Sequence, residues 1–219
     1  MRVNFKIPKM KFGKIKMNTV ENLDKINIDF NKAKNAENKK EKGPYEHTNY
    51  KTVKEFFNRS VELYPDKSCI LEKPDHKTPY KVTTYREFSE DANALGTALI
   101  KILNQKNKRV IIIGETQYGW YVSYIAMLLG VGIAVPVDRE LPDNELENVI
   151  KRSKATCIIY SQKKEESIKK IRENVKDVEY FVEMKSDKAL EGKDVGINYL
   201  IETGKKIIQS GDDSFKKIE

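Results

Sequence analysis

The chain has 219 residues, 39% of them hydrophobic, which is enough for one domain with a buried core and some chain to spare. The formal net charge is +8, yet only seven of the 41 basic residues are Arg (Arg2, Arg59, Arg86, Arg109, Arg139, Arg152 and Arg172). Nucleic-acid readers favour Arg, whose planar fork bonds bidentately, so a chain whose charge is carried by Lys argues against sequence-specific DNA or RNA binding.

Residues 1–49 are rich in Lys and Asn, and Gly43-Pro44 lies near their end. They contain no continuous apolar run of the kind a secretory signal needs. A mobile, solvated basic arm is expected there. With no acid before Glu21, the arm could also touch an anionic membrane surface. The folded domain is expected over residues 50–219. Thr52 and Glu55 have capping-box spacing, and Val53, Phe56, Phe57, Val61 and Tyr64 recur at helical spacing behind them. Pro65-Asp66 should close that helix. Ser68–Glu72 and Tyr80–Thr83 read as a hairpin around a turn at Pro74–Pro79. Thr84 and Glu87 form a second capping box, opening a helix with Phe88, Ala92, Leu95, Leu99 and Ile102 on one face.

The stretch from Arg109 to Asp138 organises the rest. Val110–Ile113 is wholly apolar, as a strand covered on both faces would be. Tyr118–Leu129 reads as a helix with Gly130 as its C-cap, and Ile133–Val137 as a second buried strand. Strand, helix and strand in so short a span make a βαβ unit. The rival reading is a membrane span, since no residue from Thr116 to Val137 is charged. Gly119, Gly130, Gly132, Pro136, Gln117 and Ser123 argue against it. Alternation then continues: a helix with Pro142 in its first turn and Leu146, Val149 and Ile150 inward, a strand at Thr156–Tyr160, a charged helix at Glu165–Asn174, a strand at Tyr180–Val182, and a helix at Tyr199–Ile208 ended by Gly211. This order predicts an α/β fold, an open and mainly parallel sheet with helices on both faces.

Chemistry is sparse. Cys69 and Cys157 sit in apolar runs without a C-x-x-C partner and read as buried free thiols of a reducing compartment. His47 and His76 have no companion at ligand spacing, so no metal site is expected. The loop Gly114-Glu115-Thr116-Gln117-Tyr118-Gly119 is not G-x-G-x-x-G. Its helix start offers an anion site, while the plainer reading is a βα turn packed by Tyr118, Trp120 and Tyr121. The pairs Gly13-Lys14, Gly192-Lys193 and Gly204-Lys205 lack the extra glycines and the hydroxyl residue of a phosphate loop. Glu165-Glu166 and Asp212-Asp213 read as solvated surface charge.

Several motifs occur in a telling order. Val82-Thr83-Thr84-Tyr85-Arg86-Glu87-Phe88 resembles the L-T-Y-x-E-L motif of the adenylate-forming enzymes, the AMP-binding acyl-CoA synthetase superfamily. The run from Ala126 to Asp138 is similar to that family's K-A-G-A-x-x-V-P-L-D, with Met127-Leu128-Leu129 departing from it. Gly114–Trp120 resembles the G-E-N-x-x-x-W turn of long-chain members. Asp138-Arg139-Glu140-Leu141-Pro142 and Ser153-Lys154-Ala155 resemble the segment that follows.

The resemblance, over about Tyr50 to Glu219, implies an enzyme that joins a fatty acid to ATP as an acyl-adenylate and passes the acyl group to coenzyme A. It implies ATP, Mg2+ and CoA for the complete enzyme and none of them held by this chain. The family's T-S-G-T-T-G-x-P-K-G loop, its magnesium-holding acid, its ribose aspartate and its carboxylate-orienting lysine have no counterpart here. No catalytic, cofactor-binding or metal residue is therefore assigned, and the chain reads as the N-terminal third of a long-chain acyl-CoA synthetase, inactive alone. A cytoplasmic place is expected, with peripheral membrane contact by the basic arm. The alternatives are a stand-alone α/β binding or scaffold module, one chain of a split synthetase with a complementing C-terminal chain, and a small nucleotide-binding protein of other ancestry.

Overall fold

A computed structural model describes residues 49–73 and 77–218. The basic arm expected over residues 1–49 lies, except for Asn49, outside the described residues, as do His47 and the first half of the hairpin turn with His76.

The first helix, α1 (Val53–Leu63), begins where Thr52 accepts a hydrogen bond from the Glu55 amide. The reciprocal bond differs from the expected capping box. Glu55 accepts from the Lys51 amide, one residue early, at 2.7 Å. The hairpin β1 (Ser68–Glu72) and β2 (Lys81–Thr84) pairs antiparallel and leads straight into α2 (Tyr85–Lys101). Here the box is complete: Thr84 and Glu87 each hold the other's amide, as the sequence spacing predicted. Such a cap is worth about 1 kcal/mol. It fixes the point where the chain turns from hairpin to helix.

Five strands form one parallel sheet: β3 (Lys108–Ile113), β4 (Gly132–Val137), β5 (Cys157–Tyr160), β6 (Tyr180–Glu183) and β7 (Asp194–Gly196), in the spatial order β4-β3-β5-β6-β7. Alternation along β3 divides the core. Val110 and Ile112 face α1, α2, α3 (Tyr118–Ala126) and α6 (Ile197–Gln209), whereas Ile111 and Ile113 face α4 (Asp143–Ser153) and α5 (Glu165–Ile171). The winding reverses at β3. A constant crossover hand then puts α3 on one face and α4 and α5 on the other.

Several boundaries moved for physical reasons. β4 is an edge strand and not a buried one: Ile133 is 52% exposed, and Pro136, which has no amide hydrogen to give, fits an edge. α3 passes into a π-helical turn, Met127–Val131, and Gly130 lies inside that turn at φ +134° instead of capping the helix. Pro142 is the N-cap of α4 and precedes its first turn. β7, three residues long, was too short to show a pattern in sequence. Cys157 is buried, but Cys69 is only half-buried. Among the described residues no helix is long and apolar enough to cross a membrane.

The tightest packing is between α2 and α6. A β-carbon on Gly204 would fall 1.9 Å from the Ala94 carbonyl oxygen, so the two helices touch backbone to side-chain-free backbone. Gly204→Ala must push α6 off α2 and should cost about 2–3 kcal/mol of stability, as overpacking of a filled core does. Urea unfolding measures it. A change below about 0.5 kcal/mol, the size of an ordinary surface substitution, would show that the helices separate freely.

Candidate functional site

In an open parallel sheet the crevice beyond the carboxyl ends of the strands, where the strand order reverses, is the place for a ligand. Here it lies between β3 and β5. Gly114 leaves β3 at φ +145°, and a β-carbon there would lie 2.5 Å from both Cβ and Oγ of Ser161. Ser161 thus fills the space that the glycine leaves, and its amide continues the ladder to the Ile113 carbonyl at 3.0 Å. Its hydroxyl is buried without a hydrogen bond of ordinary geometry.

Glu115 lies beside this contact, with Lys163 at 3.9 Å. Burial pushes its carboxyl up, but the Ser161 hydroxyl, its own backbone amide, Lys163 and Arg139 outweigh that and hold it below the usual carboxylate range. A carboxylate therefore stands at the loop where an anion would be received. The start of α3 carries no side-chain cap; Gln117 turns instead toward the Met184 sulfur at 3.5 Å. The aromatic residues pack as the plainer sequence reading had it. Tyr118 meets Phe88 edge to face at 6.0 Å, and Trp120 meets both Tyr121 and Tyr124.

The Gly-Lys pairs serve structure. Lys193 donates to the Val178 carbonyl after a turn at Gly192. Gly204 is the α2–α6 contact, and Lys205 pairs with Asp91 at 2.9 Å and with Glu202 at 3.1 Å. Gly13-Lys14 lies outside the described residues. Glu165 and Glu166 share Lys169, Asp212 pairs with Lys101, and Asp213 with Lys217.

One polar cluster escaped the sequence reading. Tyr118 donates to Asp91 at 2.6 Å, and Lys205 holds the other oxygen of the same carboxylate. This ties α2, α3 and α6 together. Burial first, then Asp91, drives the Tyr118 hydroxyl far above its ordinary value, so it stays protonated. Burial alone would lower Lys205, but Asp91 and Glu202 outweigh it and keep the ammonium charged. The sequence did carry a signal. Asp91 falls between Phe88, Ala92 and Leu95 on the apolar stripe of α2, and Lys205 between Ile201 and Ile208 on that of α6. Opposite charges on two facing stripes ask for each other.

The profile of the AMP-binding enzyme family matches residues 57–205. The chain belongs to that family. Phosphinothricin tripeptide synthetase PhsC of Streptomyces viridochromogenes is 27% identical over 110 residues, covering 50% of this chain and 10% of that protein. Among solved structures, the anthranilate CoA ligase AuaEII with anthranoyl-AMP superposes with a TM-score of 0.61 at 21% identity, over 72% of this chain and 29% of its own. A putative long-chain-fatty-acid CoA ligase from Rhodopseudomonas palustris gives 0.59 at 17%, over 68% and 36%. The adenylation domain of a Mycobacterium chelonae carboxylate reductase gives 0.61 at 17%, over 71% and 29%. At these identities the structures speak for the fold. This chain spans about three tenths of their length.

In the fold, the Val82–Phe88 segment holds the hairpin-to-helix cap, the Ala126–Asp138 segment is the π turn with edge strand β4, and Gly114–Trp120 is the turn closed by Ser161. Among the described residues no three of His, Cys, Asp and Glu converge as metal ligands, and the crevice carries Glu115 without a glycine-rich loop.

Tyr160, at the carboxyl end of β5, offers a pH test. Burial first, then Glu183, Asp194 and Glu165, push its hydroxyl up to about 12 from 10.0, against Arg172. The folded state keeps a proton that the unfolded state releases near pH 10. Stability conferred by neutral Tyr160 is therefore complete below pH 10 and lost as the pH rises from 10 to about 12. Denaturant melts across this window should show Tyr160→Phe losing less than the wild type, with the share of Tyr118 left in place.

Proposed function

We propose that this chain supplies the architectural N-terminal part of an ATP-dependent acid–thiol ligase whose acid is a long-chain fatty acid. The complete enzyme forms an acyl-adenylate with ATP and Mg2+ and hands the acyl group to CoA. The observation that carries the reading is the Gly114–Trp120 turn. It resembles the G-E-N-x-x-x-W turn of long-chain members, with Thr116 in place of the Asn, and sits at the carboxyl end of β3. The similar Rhodopseudomonas palustris structure is of a putative long-chain-fatty-acid CoA ligase, which supports the fatty acid, while AuaEII carries anthranoyl-AMP.

In this reading the residues described here orient and brace, and no step of the chemistry is assigned to them. Phosphoryl and acyl transfer rest on amide donors, cations and metal placed around the reacting groups. Those groups belong to segments with no counterpart in this sequence, contributed in the same polypeptide or by a complementing chain. A peripheral contact of the basic residues before Glu21 with an anionic membrane would bring a fatty acid within reach.

The test has two arms. The 219-residue protein with ATP, Mg2+, palmitate and CoA should release no pyrophosphate; turnover by the chain alone overturns the architectural reading. The same chain joined to, or mixed with, a segment bearing the T-S-G-T-T-G-type loop should release pyrophosphate with palmitate. Faster release with anthranilate than with palmitate would overturn the choice of fatty acid.

A further inference from the structure

α1 buries a single residue, Phe57, which meets Phe88 edge to face at 5.9 Å. Its outer side leaves Val53, Phe56 and Leu63 about half exposed. So small a footing does not by itself hold an 11-residue helix on a domain. The rest of the attachment comes from the far end of the described chain. After α6 the chain turns at Gly211 and runs back across α2 as residues 212–218.

Four contacts hold this segment. Lys101 pairs with Asp212 at 2.8 Å. The Phe215 ring, 2% exposed, occupies the place where a β-carbon of Gly96 would be, within 2.2–2.7 Å of it. Ile218 fills the notch at Gly130, with Cγ2 2.8 Å from an ideal β-carbon there. The Lys54 ammonium of α1 donates to the Lys216 and Ile218 carbonyls. The first three anchor the segment to α2 and the π turn, and the last ties α1 to the segment. Lys216 also stands between two cavities of about 290 and 300 Å3, both bounded by Ser89 and Asn93 of α2.

We propose that residues 212–218 form a strap which, with α1, opens and closes as one unit on an otherwise folded sheet. Phe215 in the Gly96 notch is the latch. When it leaves, the Lys54 tie to the two carbonyls goes with it, and the apolar footing of α1 is Phe57 with the partly buried Val61. Opening also joins the two cavities into one groove along α2. β3 and β5, hydrogen-bonded on both sides, stay closed. Local openings of this kind, cheaper than global unfolding, are the usual behaviour of elements with few buried contacts.

Native-state hydrogen exchange on the full chain tests it. The amides of α1 and the strap should exchange with one shared opening equilibrium, faster than those of β3 and β5. Phe215→Ala should speed exchange in α1 and the strap by roughly a hundredfold or more, from the ordinary cost of truncating a buried Phe, and leave β3 and β5 unchanged. Lys54→Ala, which spares the latch, should speed α1 several-fold and the strap less. If Phe215→Ala does not fold, Lys54→Ala decides alone. Exchange in α1 that ignores both substitutions, or α1 and β3 rising together in each folded variant, overturns the proposal.

Discussion

Everything in this fold depends on β3 being covered on both faces. Val110, Ile111, Ile112 and Ile113 are fully buried and alternate between two apolar layers, so no polar side chain is tolerable at these four positions. Buried strands of this kind need neighbours on both edges, and β4 and β5 supply them in parallel. Parallel neighbours in turn require crossovers, which become α3 and α4 on opposite faces. The reversal of winding at β3 follows, and with it the crevice between Gly114 and Ser161. The position of the candidate site is thus a consequence of four apolar residues.

Much of this was legible because burial leaves periodic traces. The apolar run of β3, the paired Thr and Glu before α2 and the stripe of α2 each have one physical reading. What failed to show was set by contacts distant in sequence. β4 looked buried because Ile133, Ala134 and Val135 are apolar, yet only the sheet's order makes it an edge, and Pro136 was the one local hint. Gly130 looked like a plain helix cap, but at φ +134° it lies within a π turn, and Ile218, 88 positions on, fills the space of its missing side chain. Gly96 and Gly204 carried no visible signal at all. A glycine inside a helix reads as a weakness until the residue that enters the gap, Phe215 or the Ala94 backbone, is known.

Motif order pointed to the family, and the family match agrees. The closing of the crevice by Ser161, and the carboxylate of Glu115 beside it, could not be read, because neither residue type predicts its neighbour across the sheet. Their effect is electrostatic as well as steric. A helix start that would otherwise attract an anion faces a half-buried acid held ionised by Ser161, Lys163 and Arg139.

Lys205 shows how the same residues divide between binding and bracing. Next to Gly204 it has the look of a phosphate contact, and a solvated ammonium there would be free to act as one. Its position on the stripe of α6 decides otherwise. A lysine between Ile201 and Ile208 is partly desolvated, and its charge then requires a carboxylate within reach. Asp91, held in place on α2 by Phe88 and Leu95 around it, is that carboxylate, and Tyr118 takes its other oxygen. Tyr118 and Lys205 are both committed to Asp91, and their bonds to it join three helices. Partly buried charge of this kind is stable because its partners lie inside the protein.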